Sequence, residues 1–134
     1  MKYFLIIIIC LSFFSCSNKN TAENAVMIFH DAIKRTDINT AKTVAAPETV
    51  KFLESLQEVK DKLLANEESK AKFEESNAKK IKEYEAEGPY SCSCKDDGVN
   101  KKICEVKNKD GKVSMNNVKV ELIENKWLVK ISFF

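Results

Sequence analysis

The period of the apolar residues changes once along this chain, at Gly88-Pro89, and that change does most to restrict the fold. Before it, apolar side chains recur every three or four residues; after it, they recur every second residue. A pattern with helical period does not bury one face as a strand, nor the reverse, so the chain divides into a helical half and a sheet half. Only three Gly and two Pro occur in 134 residues, and Pro47, Gly88-Pro89, Gly98 and Gly111 each fall where the pattern changes.

In the helical half, Ala25, Val26, Phe29, Ala32 and Ile33 form one stripe, with Thr21 placed to cap it and Glu23 in its first turn. Asp37 caps a short second helix through Ile38, Ala41, Val44 and Ala45. That helix stops at Ala46, because a residue before proline is pushed out of the helical region. Pro47 then opens a third segment, where Val50, Leu53, Leu56, Val59 and Leu63, with Phe52 beside them, predict a core-facing stripe. Past Ala65-Asn66 only Phe73, Ile81 and Tyr84 are large and apolar amid dense Lys and Glu. These are too sparse for a coiled coil. They predict a helix with one narrow contact line and a broad solvated face, with a break or kink near Asn66.

In the second half Tyr90, Cys92 and Cys94 alternate with polar residues before the turn Asp96-Asp97-Gly98. Cys104 and Val106 follow, and Asp110-Gly111 signals a two-residue hairpin loop. Val113 and Met115 then hold odd positions, whereas Val118, Val120 and Leu122 hold even ones. A strand cannot change faces without an extra residue, so a β-bulge is predicted at Asn116-Asn117. A turn at Glu124-Asn125 opposes Leu122 to Trp127, Val120 to Val129 and Val118 to Ile131, all on one face. The expected fold is α+β: one domain over 21–134, with helices in 21–87 packed on one face of a four-stranded antiparallel meander in 88–134.

The chain's first sixteen residues have another logic. Lys2, an apolar run from Tyr3 to Leu11, and Ser12-Phe13-Phe14-Ser15-Cys16 give a charged start, a short apolar region and a small residue at a cut. The run is well short of the roughly 20 apolar residues a spanning helix needs. Ser15-Cys16 resembles the lipobox of bacterial lipoproteins, although Phe13 and Phe14 depart from the usual Leu and small or β-branched residue. The resemblance implies a signal peptide over 1–15, cleavage between Ser15 and Cys16, acylation of Cys16 (palmitate being one such chain), and a lipidated tether over 16–20. Ser17, rather than Asp, resembles sorting toward an outer membrane, facing the periplasm. Two or more acyl chains hold firmly where one binds only marginally. So short a tether, at about 3.5 Å per extended residue, keeps the folded part close to the bilayer.

Charge gives little more. The formal net charge of +2 falls to +1 without Lys2, and a nucleic-acid partner, which calls for a strongly basic face, is not expected. Residues 48–87 carry eight lysines against eleven acids, and 88–134 carry nine against six. Isolated surface pairs contribute little, so both halves read as solvated faces.

Several local patterns combine into a second resemblance. A first helix ends in Ile33-Lys34-Arg35-Thr36-Asp37, a short helix contains Ala41-Lys42, and a break falls at Ala46-Pro47-Glu48. A lysine-rich helix follows, and the sheet ends Glu124-Asn125-Lys126-Trp127-Leu128-Val129. Over most of residues 20–132 this resembles the small bacterial lipoproteins of domain-of-unknown-function family 4878, of the nuclear-transport-factor-two-like superfamily. The resemblance implies a cone-like fold in which the sheet wraps around the long helix and leaves a pocket, with Phe29, Tyr90 and Trp127 as candidate lining. It implies no activity. Superfamily relatives with isomerase activity use acidic bases inside the cone, often helped by a tyrosine. Here the pocket-side candidates are Tyr90, Asp31 and Tyr84, and no spacing singles them out.

The cysteines depart from that family's pattern. With Cys10 in the signal and Cys16 as lipid carrier, Cys92, Cys94 and Cys104 remain, an odd number for a compartment that oxidises thiols. Cys92 and Cys94 share one strand face. A turn centred on Gly98 opposes Cys104 to Cys92, and one centred on Val99 opposes it to Cys94. A disulfide of Cys104 with Cys92 or Cys94 is therefore expected, worth about 2–3 kcal/mol for so short a loop. The alternatives are three free or variably paired thiols and, weaker still, a metal held by the three thiolates and His30, the only histidine. Structural zinc sites favour two to four residues between cysteines on turns, so no metal and no other cofactor is expected. His30 itself reads as a surface or boundary residue. Phosphate loops, zinc-protease helices and nucleophile elbows are absent from the sequence.

The expected function is a membrane-anchored binding or interaction module rather than an enzyme. Its partners are the membrane through the N-terminal lipid, and a protein or a small apolar ligand. One alternative is a small isomerase- or hydratase-like enzyme using the cone pocket, which needs an ionisable group deep in a closed pocket. The other is an inhibitor or immunity lipoprotein for an exported toxin or lysozyme, with its determinants on loops such as Asp96–Lys102.

Overall fold

In a computed structural model that describes residues 20–131, four helices precede four strands. The helices are α1 (Ala22–Lys34), α2 (Ile38–Thr43), α3 (Pro47–Leu64) and α4 (Glu67–Glu87). The strands are β1 (Ser91–Asp96), β2 (Lys101–Lys107), β3 (Val113–Ile123) and β4 (Lys126–Lys130), antiparallel in the order β1-β2-β3-β4. The α+β meander is therefore as expected. The signal, the cut at Ser15-Cys16 and the tether up to residue 19 lie outside the described residues. No helix among those described is long and apolar enough to cross a membrane.

The caps explain the helix boundaries. Thr21, Asp37 and Asn66 each turn a side-chain oxygen onto backbone N–H groups that the first helical turn leaves unpaired. Asn66, which accepts from the amides of Glu68 and Ser69, makes the expected break between α3 and α4 a true helix start. Glu124 and Asn125 both have positive φ, the two-residue turn that matches strand twist, and they set Leu122 opposite Trp127 and Val120 opposite Val129. The third expected pair, Val118 with Ile131, does not form. β4 ends at Lys130, and the Ile131 amide donates instead to Thr49 Oγ1 at 2.9 Å.

The core lies between α1 and the sheet. Val26, Phe29, Leu53, Val106, Val120 and Val129 are all buried, and α1 packs across all four strands. The helix the sheet covers is thus the 13-residue α1, not the 21-residue α4. Along the outer edge of β4, the Ala46 amide donates to the Val129 carbonyl (2.8 Å) and the Val129 amide donates to the Val44 carbonyl (2.7 Å). This bridge occupies part of an edge that would otherwise offer unpaired backbone groups.

Two expectations are corrected, and a third is met with an addition. The stripe on α3 is buried only at its start: Leu53 is in the core, while Leu56, Val59 and Leu63 are 37%, 55% and 39% exposed. Among the strands α3 packs against β4 alone, so its later turns run past the sheet, with α4 alongside and the Lys60 ammonium donating to the Thr36 carbonyl. The β2–β3 loop is a three-residue loop, not two. The Asn108 amide donates to the Lys112 carbonyl, Asn108 Oδ1 accepts from the amides of Asp110 and Lys112, and Gly111 takes the positive φ. The predicted bulge is present, with Asn116 and Asn117 facing one residue of β2, but a second register shift follows at Ser114. It leaves Val113 44% exposed and sends the Ser114 side chain to His30.

Candidate functional site

The candidate pocket residues do not line one cavity. Phe29 is sealed in the core, Trp127 is half-buried with the Lys102 ammonium 5.5 Å from its ring centroid, and Tyr90 belongs to a separate aromatic cluster. The nearest thing to a built site is that cluster, where the C-terminal end of α4 docks on α1.

His30, Tyr84 and Tyr90 meet there. The tyrosine rings stack with centroids 4.7 Å apart, and the His30 ring lies 4.9 Å from Tyr90 and 5.5 Å from Tyr84. The Tyr84 hydroxyl donates to Asp31 Oδ1 at 3.0 Å, and Arg35 pairs with both Asp31 and Glu85. The Tyr90 hydroxyl donates to the Tyr84 carbonyl at 3.1 Å. Two clefts flank Tyr84. One, of about 800 Å³, is lined by Met27, Ile28, Asp31, Arg35 and Pro89; the other, of about 380 Å³, by Ile33, Phe73, Asn77 and Lys80.

His30 is 0% exposed, which overturns its expected place at the surface or boundary. Val26 and His30 are four residues apart and share the inward face of α1, a spacing that was visible in the sequence. Its Nε2 lies 2.8 Å from Ser114 Oγ, and Nδ1 has no hydrogen-bond partner among the described residues. Burial, helped by Lys34, lowers its pKa to about 4, so the imidazole is neutral at physiological pH. Burial raises the pKa of Tyr84, with the Asp31 carboxylate adding to it, and burial and Glu87 raise that of Tyr90. Both phenols stay protonated. The one neutral base in the cluster is closed in by two rings and held by Ser114, and the residue ahead of it, Asp31, is tied to Arg35. The cluster fastens α4 and β3 to α1.

The second concentration of chemistry is in the sheet. Cys94 faces Cys104 across β1 and β2, with Cα atoms 4.1 Å apart, and the two are disulfide-bonded. The β1–β2 loop is centred on Val99, where the Asp97 amide donates to the Lys101 carbonyl and Asn100 takes a positive φ. That decides between the two partners the sequence left open. Cys92 is free, half-buried, with its Sγ 3.8 Å from Cys94 Sγ. Burial, with the charge of Glu23, pushes its thiol pKa up to about 11. His30 is not among the groups near these sulfurs, so the four-ligand set that included it does not assemble. The loop Asp96–Lys102, the expected determinant of an inhibitor, projects Val99 into solvent. The chain matches no family model, no curated protein and no solved structure.

Proposed function

We propose that this protein is a lipid-anchored interaction module, held at the periplasmic side of a bacterial outer membrane through Cys16, that engages a protein through the α3–α4 hairpin. The observation that carries the contact is the line Leu56, Val59 and Leu63, apolar side chains at helical spacing that α3 leaves outside the core. From Leu56 to Leu63 the line runs about 10 Å along an open helix face, which suits the side chains of another protein better than a small ligand. The placing rests on Ser15-Cys16 and the polar tether. Asn20, where the tether ends, is clasped by the β3–β4 hairpin: its side chain donates to the Asn125 carbonyl and accepts from the Trp127 amide. A filled interior between α1 and the sheet favours a module over an enzyme that works inside the cone. The resemblance to the cone-shaped lipoprotein family belongs to the same reading.

Two measurements test it. Cys16→Ala should abolish acyl labelling and leave the uncleaved precursor; normal maturation and membrane fractionation of that variant would refute the anchoring. A photo-crosslinking residue at position 59 of the full chain should form a discrete protein adduct in cells, and Leu56→Asp should remove it. Adducts that survive Leu56→Asp, or none at all, would refute the contact.

A further inference from the structure

Three sulfurs that the proposed function does not use sit together on the inner face of β1 and β2. The ligand atoms of Cys92, Cys94 and Cys104 all lie within 4.8 Å of one another, and Cys92 Sγ is 3.8 Å from Cys94 Sγ. A metal–sulfur bond of about 2.3 Å places the sulfurs of a planar three-coordinate site about 4 Å apart. The separation of Cys92 and Cys94 is already that of such a site. The Cys94–Cys104 pair reaches it by opening roughly 2 Å once its bond is cut, a movement within reach of side-chain torsions alone.

We propose that the reduced form of this protein holds one soft monovalent cation, Cu(I), in a three-thiolate site made by Cys92, Cys94 and Cys104, and that the Cys94–Cys104 disulfide closes that site. The ligand count selects the ion. Zinc takes four ligands in structural sites, and no fourth His, Cys or carboxylate joins the three sulfurs among the described residues. Thiolates favour Cu(I), which three sulfurs can satisfy. Two of the ligands come from one edge strand and the third from its neighbour, so the pairing of β1 with β2 sets the site before any metal arrives. The switch balances with a dithiol reductant. Its first thiolate attacks one sulfur of the Cys94–Cys104 bond, and its second resolves the mixed disulfide. The donor leaves as a disulfide and Cys94 and Cys104 as two thiols, each taking one of the donor's protons. Binding of Cu(I) then displaces the protons of the three thiols. Oxidation returns the bridge and leaves Cys92 alone, one ligand of three.

The test uses the full chain with Cys10→Ser and Cys16→Ser, so that only the sheet cysteines can bind and the result is independent of lipid anchoring. After reduction and removal of the reductant, anaerobic titration with Cu(I) against a chromogenic chelator should give one equivalent per chain, and the oxidised protein should take none. Cys92→Ser should weaken binding at least tenfold by leaving a two-sulfur site. Equal affinity of the Cys92→Ser and parent proteins would overturn the proposal, as would absence of binding to the reduced parent. X-ray absorption at the copper edge of the loaded parent guards against a misfolded variant: three sulfurs around copper support the site, and two refute it.

Discussion

Buried, neutral His30 should make this protein sensitive to mild acid. Its pKa falls from 6.5 in the unfolded chain to about 4 in the fold, because the ring is desolvated between Tyr84 and Tyr90 and Lys34 lies near it. Between these values the unfolded chain binds a proton that the folded chain does not. Stability is therefore complete above pH 6.5 and falls as pH drops toward 4, by about 1.4 kcal/mol for each pH unit. The whole shift amounts to about 3 kcal/mol, a large part of the 5–15 kcal/mol that holds a typical domain together. Asp37 and Glu48 also have pKa values below their usual range, through the Thr40 hydroxyl and amide for Asp37, and through its own amide and Lys130 for Glu48. Their loss adds to the effect only toward pH 4 and below. The assay is the urea midpoint at pH 7.5, 6.5, 5.5 and 4.5 for the native chain and for His30→Phe. The variant loses the Ser114 bond at every pH, yet it should lack the slope from 6.5 to 4.5. Equal slopes in the two proteins would refute the assignment.

How much could be read without coordinates depended on whether a feature is local. The Glu124-Asn125 turn, the bulge at Asn116-Asn117 and the break at Asn66 follow from turn chemistry, strand parity and capping, which act within a few residues. The second bulge, at Ser114, was not legible, because its visible partner is His30, 84 positions away in the chain. Strand parity could not choose between Cys92 and Cys94, which share a face; the choice rested on the loop centre. There the signal was Asn100, a residue that tolerates positive φ, closing a three-residue loop with Gly98 and Val99. The α3 stripe shows a different limit. Periodicity reports that a helix is amphipathic, not how far along it a neighbour extends, and here the sheet ends near Leu53.

The outward turn of α3 gives a first contrast: Leu53→Ala should cost about 2–5 kcal/mol in urea unfolding, whereas Val59→Ala should stay within about 0.5 kcal/mol. Comparable losses at both sites would mean that α3 is buried along its length. Among the sheet cysteines, alkylation of the denatured, unreduced protein should modify Cys92 alone, and Cys104→Ser should expose two thiols and cost about 2–3 kcal/mol. Three reactive thiols in unreduced protein would remove the disulfide. The last contrast concerns the end of β4, where fully buried Thr49 supplies the only acceptor for the Ile131 amide among the described residues. Thr49→Val keeps the shape of the side chain but strands that N–H, a loss of about 1–3 kcal/mol. Thr49→Ser keeps the hydroxyl and gives up one methyl group, about 0.8 kcal/mol. The valine variant should therefore be the less stable of the two, and its Val129 and Ile131 amides should exchange faster with solvent. If the serine variant loses as much as valine, or Ile131 exchange is unchanged in the valine variant, the hydroxyl does not hold the strand end.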